Sequence, residues 1–271
     1  MPKFHLIVGS DSTPTPLSVR KIGRPDLKYA LAKGMEDFLT LPSSLLFLAL
    51  IYPLAGIWLI VGNSPHLIFP LMSGFALIGP FAAIGLYEIS RRREVKLDIS
   101  WKDALGVMYS RSIFSILSLG LLLLIIFLSW QFTAHSLYVA LFGRTPSETF
   151  AAFIGNLLST PRGWIFIGLS IAAGFLYAVL VLSISVVSFP LLLDRDAGLF
   201  VAVYASTKAV LKNPATMALW GLTITAILAA GFLLLFVGLA VAVPVLGHSS
   251  WHLYRRVVDW VGVDCDRAAR G

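Results

Sequence analysis

The chain has 271 residues and only one cysteine, Cys265. A single thiol forms no internal disulfide and excludes cysteine-based zinc or iron–sulfur sites within one chain. Charge is also scarce: charged residues make up 13% of the chain, about half the share of a soluble domain. From Ala215 to Leu253 there is no Asp, Glu, Lys or Arg. Gly-x-Ser-x-Gly and Walker-type phosphate loops are absent, and no nucleophile–base arrangement stands out. The chain is therefore expected to be no enzyme and to need no cofactor. The N-terminal apolar run, Phe4 to Val8, is broken by His5 and too short for a signal-peptide core. Insertion into a membrane then falls to an internal segment.

Apolar residues are abundant, at 58% of the chain with a mean hydropathy of +0.85. This points to an all-α, polytopic membrane helix bundle. A crossing helix needs about 20 mostly apolar residues. Six stretches qualify: residues 45–61, 67–89, 113–132, 163–193, 215–232 and 236–254. Pro190 should loosen the last turns of the fourth. The last apolar stretch is too long for one straight crossing, because 39 residues would run roughly 58 Å. Two helices reversing between Gly231 and Gly238 fit better. Residues 1–19 read as a flexible tail, 20–258 as the membrane domain and 259–271 as a polar tail.

The formal charge of +7 is distributed unevenly. With six crossings, 19 basic residues lie on one side and 2 on the other. With five crossings the counts are 15 and 6. The positive-inside rule favours six, with both termini cytoplasmic. Membrane lipids then account for the basic residues, and nucleic acid is not expected as a partner.

A weak internal repeat is also visible. Pro80 to Arg92 and Pro244 to Arg256 share their proline-to-arginine spacing. The approach to Pro42 (Leu27, Ala30, Leu39) aligns without gaps with the approach to Pro214 (Leu199, Ala202, Leu211). The expected architecture is three helix pairs, each preceded by a cytoplasmic amphipathic surface helix. Leu27, Leu31 and Phe38, like Leu199, Val203 and Val210, supply the apolar side.

The segments Ser188–Asp196 and Pro244–Arg256, with Asn213-Pro214 leading into Ala218–Gly221, resemble an uncharacterised family of bacterial integral membrane proteins, domain of unknown function 2189. The resemblance spans roughly Arg20 to Val258. It implies a six-span inner-membrane protein and supplies no catalytic residue.

Few side chains suggest chemistry. His248 and His252, at i and i+4, share a helix face and could grip one metal ion, with Glu88 and Asp194 as further ligands from the same side. The competing reading is an interfacial belt of Trp251, His252, Tyr254 and Arg255. Glu88 is expected to pair with Arg91 to Arg93. Asp194, Arg195 and Asp196 could lock the loop surface through ion pairs or simply cap the following helix. Pro190, Pro244 and Gly247 are structural candidates in the same motifs. No ionisable side chain falls centrally in a span, which disfavours proton relays. Ser183, Ser185, Ser188, Thr223 and Thr225 read as helix-packing hydroxyls. The leading expectation is a non-enzymatic scaffold or accessory factor that associates with lipids, other membrane proteins or copies of itself. A channel or transporter for a small neutral or lipid-like solute, and a metal or haem binder through His248 and His252, are the alternatives.

Overall fold

The computed structural model describes residues 17–40, 83–97, 106–143, 150–234 and 238–260. In chain order these form β1 (Leu17–Val19), α1 (Arg24–Thr40), α2 (residues 83–94), a 3-10 turn at Gly106–Tyr109, α3 (Ile113–Phe142), α4 (Phe150–Ser159), α5 (Pro161–Ser185), α6 (Ser188–Asp194), α7 (Leu199–Lys212), α8 (Pro214–Leu233), α9 (Leu239–Val257) and β2 (Val258–Trp260). The described residues are all-helical apart from one small sheet.

Three described stretches are long and apolar enough to cross a membrane: Ile113–Phe142, Pro161–Asp194 and Pro214–Gly231. The expected first span lies wholly outside the described residues, as does most of the second. The expected sixth, 236–254, overlaps α9 from Leu239 onward, and α9 is not among the three. The third helix is ten residues longer than the sequence reading. The fourth apolar stretch is one run in sequence but two helices in space. Pro190 has no N–H and its ring crowds the carbonyl four residues back, so the helix breaks at Val186 and Val187. The freed amide of Val187 is satisfied by Ser206 Oγ at 3.2 Å.

The last apolar stretch is also two helices, α8 and α9. Gly231 and Gly238 lie against each other there: a methyl on Gly238 would sit 2.8 Å from Gly231 Cα. Glycine permits this reversal because no Cβ intervenes.

The chain divides into two compact units, one of Met1–Gly120 with Ser183–Gly271, the other of Leu121–Leu182. In the smaller unit, Trp130 and Tyr177 pack with ring centroids 5.5 Å apart. Tyr177 OH is within hydrogen-bond distance of Ser129 and Thr133, at 2.8 and 3.0 Å. Phe166 meets Tyr138 and Phe142 edge-on.

The larger unit holds most of the core. Trp220, Trp251, Tyr254, Met217, Leu191 and Leu192 are fully buried there. Helix α1 buries Leu27, Ala30, Gly34 and Asp37, and its main partner is α9. This is rotated from the expected Leu27, Leu31, Phe38 stripe, of which Leu31 and Phe38 are only half-buried. The cause is the partner: a helix docking on another helix needs small residues for close approach, whereas lipid rewards apolar area alone. Helix α7 buries Ala202, Ala205, Ser206 and Ala209. Ala202, Ser206 and Ala209 occupy the register of Ala30, Gly34 and Asp37, the same alignment that relates Pro42 to Pro214.

The two sequence ends meet in an antiparallel ladder that pairs Leu17 with Trp260, Ser18 with Asp259 and Val19 with Val258. The tail boundaries expected at Val19 and Val258 therefore fall inside a paired element. Three-residue strands carry no periodicity, so only their meeting in space defines them.

Candidate functional site

The charged ends of α1, α2 and α9 converge on Asp37. Two small residues permit this: a methyl on Gly34 would collide with Ser249, reaching 2.6 Å from its backbone nitrogen and 2.8 Å from its Cα. On α9, His248 and His252 stack on one face, one turn apart. On α2, Ser90 and Arg93 do the same.

The Asp37 side chain is only 5% exposed. Ser90 Oγ donates to its Oδ2 at 2.6 Å, and His252 Nε2 lies 2.8 Å from the same oxygen. Arg93 Nη1 donates to Oδ1 at 2.8 Å. Ser90 also lies 2.7 Å from Nδ1 of the fully buried His248. Because the serine proton goes to the carboxylate, His248 Nδ1 must donate to Ser90, and His252 Nε2 must donate to Asp37. Burial alone would raise the carboxyl pKa of Asp37. The hydrogen bonds from His252 and Ser90, with the nearby imidazoles, outweigh it and hold Asp37 below the usual carboxylate range.

Each of these bonds uses one nitrogen of its imidazole, Nδ1 of His248 and Nε2 of His252. The two histidines come together as their spacing predicts, with those nitrogens facing Ser90 and Asp37. Among the described residues no group of three or more His, Cys, Asp or Glu is arranged to hold a metal ion. Neither acid expected as a further ligand joins them. Glu88, nearly buried, takes a bidentate contact from Arg91 at 2.8 Å and a third hydrogen bond from Arg92 at 2.9 Å. Asp194 accepts from Tyr254 OH at 2.8 Å.

A second layer surrounds this centre. Glu94 accepts from Trp251 Nε1 at 3.2 Å and Arg255 Nε at 3.0 Å. Trp251 and Tyr254 are each only 1% exposed, so they form part of the core rather than an interfacial belt. Asp196 accepts from Ser112 at 3.2 Å. Arg195 lies 3.8 Å from Asp194. Pro190 and Pro244 are buried, and Gly247 gives Leu86 room on α2. Arg256 pairs with Asp26 at 2.8 Å.

Asn213 is a residue whose role the sequence reading missed. Its buried side chain accepts from the Ile22 amide at 2.8 Å and donates to the carbonyls of Arg20 and Ala209, each at 3.0 Å. It thereby fastens the segment after β1 to the end of α7. Asp37 and Ser90 were missed too. The available signal for Asp37 was an acid in line with Ala30 and Gly34, on the small-residue side of a helix.

The larger unit thus contains a buried polar layer among the ends of α1, α2 and α9. Residues 68–194 match the model of a family described as a predicted integral membrane protein (DUF2189). The match agrees with the resemblance seen in the sequence and, with the apolar helices, makes the chain a membrane protein. It covers α2 to α6, including Glu88, Ser90 and Asp194, whereas Asp37 and both histidines lie outside it. No curated protein and no solved structure matches the chain.

Proposed function

We propose that the chain is a six-span protein of the bacterial inner membrane with both ends in the cytoplasm, acting without catalysis as a scaffold or accessory factor for other membrane proteins. The β1–β2 ladder supports the crossing number. Segments that pair share a side, which supports an even number of crossings between Val19 and Val258. Lysine and arginine counts favour the cytoplasm for that side.

The observation that carries the scaffold reading is the contrast between the packed polar layer and the bare spans. The most apolar windows of the three candidate spans are 11%, 0% and 17% buried. On α5, nothing lies within 4 Å of a methyl placed on Gly168, and Trp164, Ile171 and Phe175 are exposed around it. A bare face with a small residue lets a second membrane helix approach closely. Four span hydroxyls, those of Ser118, Thr133, Thr223 and Thr225, donate to the carbonyl four residues back.

The test is a photo-crosslinking residue at Ile171 or Phe175 in native membranes. The scaffold reading expects one discrete protein adduct, which is lost when Gly168 is replaced by Leu. Lipid adducts alone, or saturable flux of a neutral solute through proteoliposomes of the purified chain, would contradict it.

A further inference from the structure

A cavity of about 350 Å³ opens beside the Asp37 centre where α2, α6 and α9 end. Its wall carries four cations, Arg91, Lys96, Arg195 and Arg255, against two carboxylates, Glu94 and Asp194. Both carboxylates are already engaged, Glu94 by Trp251 and Arg255 and Asp194 by Tyr254. Arg91 is itself paired with Glu88 behind the wall, so one positive charge remains in excess. Arg91, Arg195 and Arg255 are 36%, 41% and 32% exposed, open enough to reach a ligand.

Lys96 is the most informative of the four. It closes α2 with left-handed backbone, φ 57°, donating its amide to Arg93 while Leu97 donates to Arg92. Glycine is the residue favoured at this helix-ending position. Here a lysine occupies it, exposed, with no ion pair among the described residues. Its strained backbone holds a cation at the cavity mouth. Asp194, on the cavity wall, is the last residue of the apolar stretch Pro161–Asp194. Basic residues that flank apolar stretches attract anionic lipid headgroups.

We propose that this cavity binds the phosphate of an anionic lipid headgroup, with Lys96 and Arg195 as its principal cations. The proposal needs only a membrane protein and is independent of the scaffold reading, because it is tested on the purified chain without a partner.

The full-length chain in mild detergent is titrated with phosphatidylglycerol and phosphatidylcholine, and retained lipid is read by native mass spectrometry. Each cation near a headgroup contributes about fivefold in affinity, so an excess of one predicts roughly a fivefold preference for phosphatidylglycerol. Lys96→Gly removes the charge while fitting the backbone, so it should fold at least as well and lose about fivefold. Arg195→Gln should lose a similar factor. Equal retention of the two lipids, or unchanged retention in both variants, overturns the proposal. Displacement of phosphatidylglycerol by millimolar inorganic phosphate would assign the site to a free anion and overturn the lipid source.

Discussion

Replacing Gly34 by Ala sets two effects of opposite sign against each other. In an exposed helix this change stabilises by about 1 kcal/mol, because alanine loses less backbone entropy than glycine. At Gly34 the new methyl would sit 2.6 and 2.8 Å from backbone atoms of Ser249, and Ser249 Oγ would be closer still. Backbone cannot rotate aside, so α1 and α9 must separate by roughly 1 Å to restore van der Waals contact near 3.5–4.0 Å. Overpacking of this kind costs about 1–3 kcal/mol. The separation also stretches the 2.8 Å contact between His252 and Asp37 beyond hydrogen-bond range, and a bond to a charged group is worth about 1.5–3 kcal/mol. Set against the propensity gain, the net expectation is a loss of about 1.5–5 kcal/mol. Thermal unfolding in detergent would read it as a lowered midpoint. Gly168→Ala, where nothing lies within 4 Å, is the control and should be neutral or stabilising. A Gly34→Ala protein as stable as the parent would refute the close α1–α9 contact on which the polar centre depends.

Other perturbations address the same layer. The carboxyl of Asp37 is held below its unfolded value of about 3.9, so its contribution to stability is full above that pH. The contribution is lost as pH falls through the lower folded value. Asp37→Asn should be less stable near neutral pH and lose less stability on acidification below about pH 4, read from unfolding midpoints across a pH series; parallel curves would contradict this. Asn213→Ala leaves the Ile22 amide and the Arg20 carbonyl without their side-chain partner and should cost about 2–4 kcal/mol. Amide exchange should rise first in β1 and the segment after it, and uniform exchange would argue against Asn213 as the fastener.

The apolar runs were legible because crossing lipid demands length and apolarity, both written in consecutive residues. The glycine pair at Gly231 and Gly238 and the break ahead of Pro190 were legible for a similar reason: each acts on backbone within four residues. The polar centre was only half legible. The i, i+4 spacing brought His248 and His252 together on one face, but the acid they meet comes from 211 and 215 residues away in sequence. Local pattern carries no information on such a meeting. The α1 stripe was misplaced because an apolar-face reading ranks Leu31 and Phe38 above Gly34 and Asp37. Packing against α9 selects the reverse, since Gly34 admits Ser249 and Asp37 answers His252. Trp251 and Tyr254 were assigned to a lipid belt on composition, yet each has a hydrogen-bond partner that draws it inward, Glu94 and Asp194.

The account rests most heavily on the two sequence ends sharing one side of the membrane. Cys265, the chain's own thiol, and a cysteine introduced at Ser18 in a Cys265→Ser background report this with a membrane-impermeant maleimide. In intact spheroplasts neither position should label, and both should label after permeabilisation. Labelling of one position but not the other in intact spheroplasts would place the ends on opposite sides and contradict the ladder, the even crossing number and the shared polar layer together.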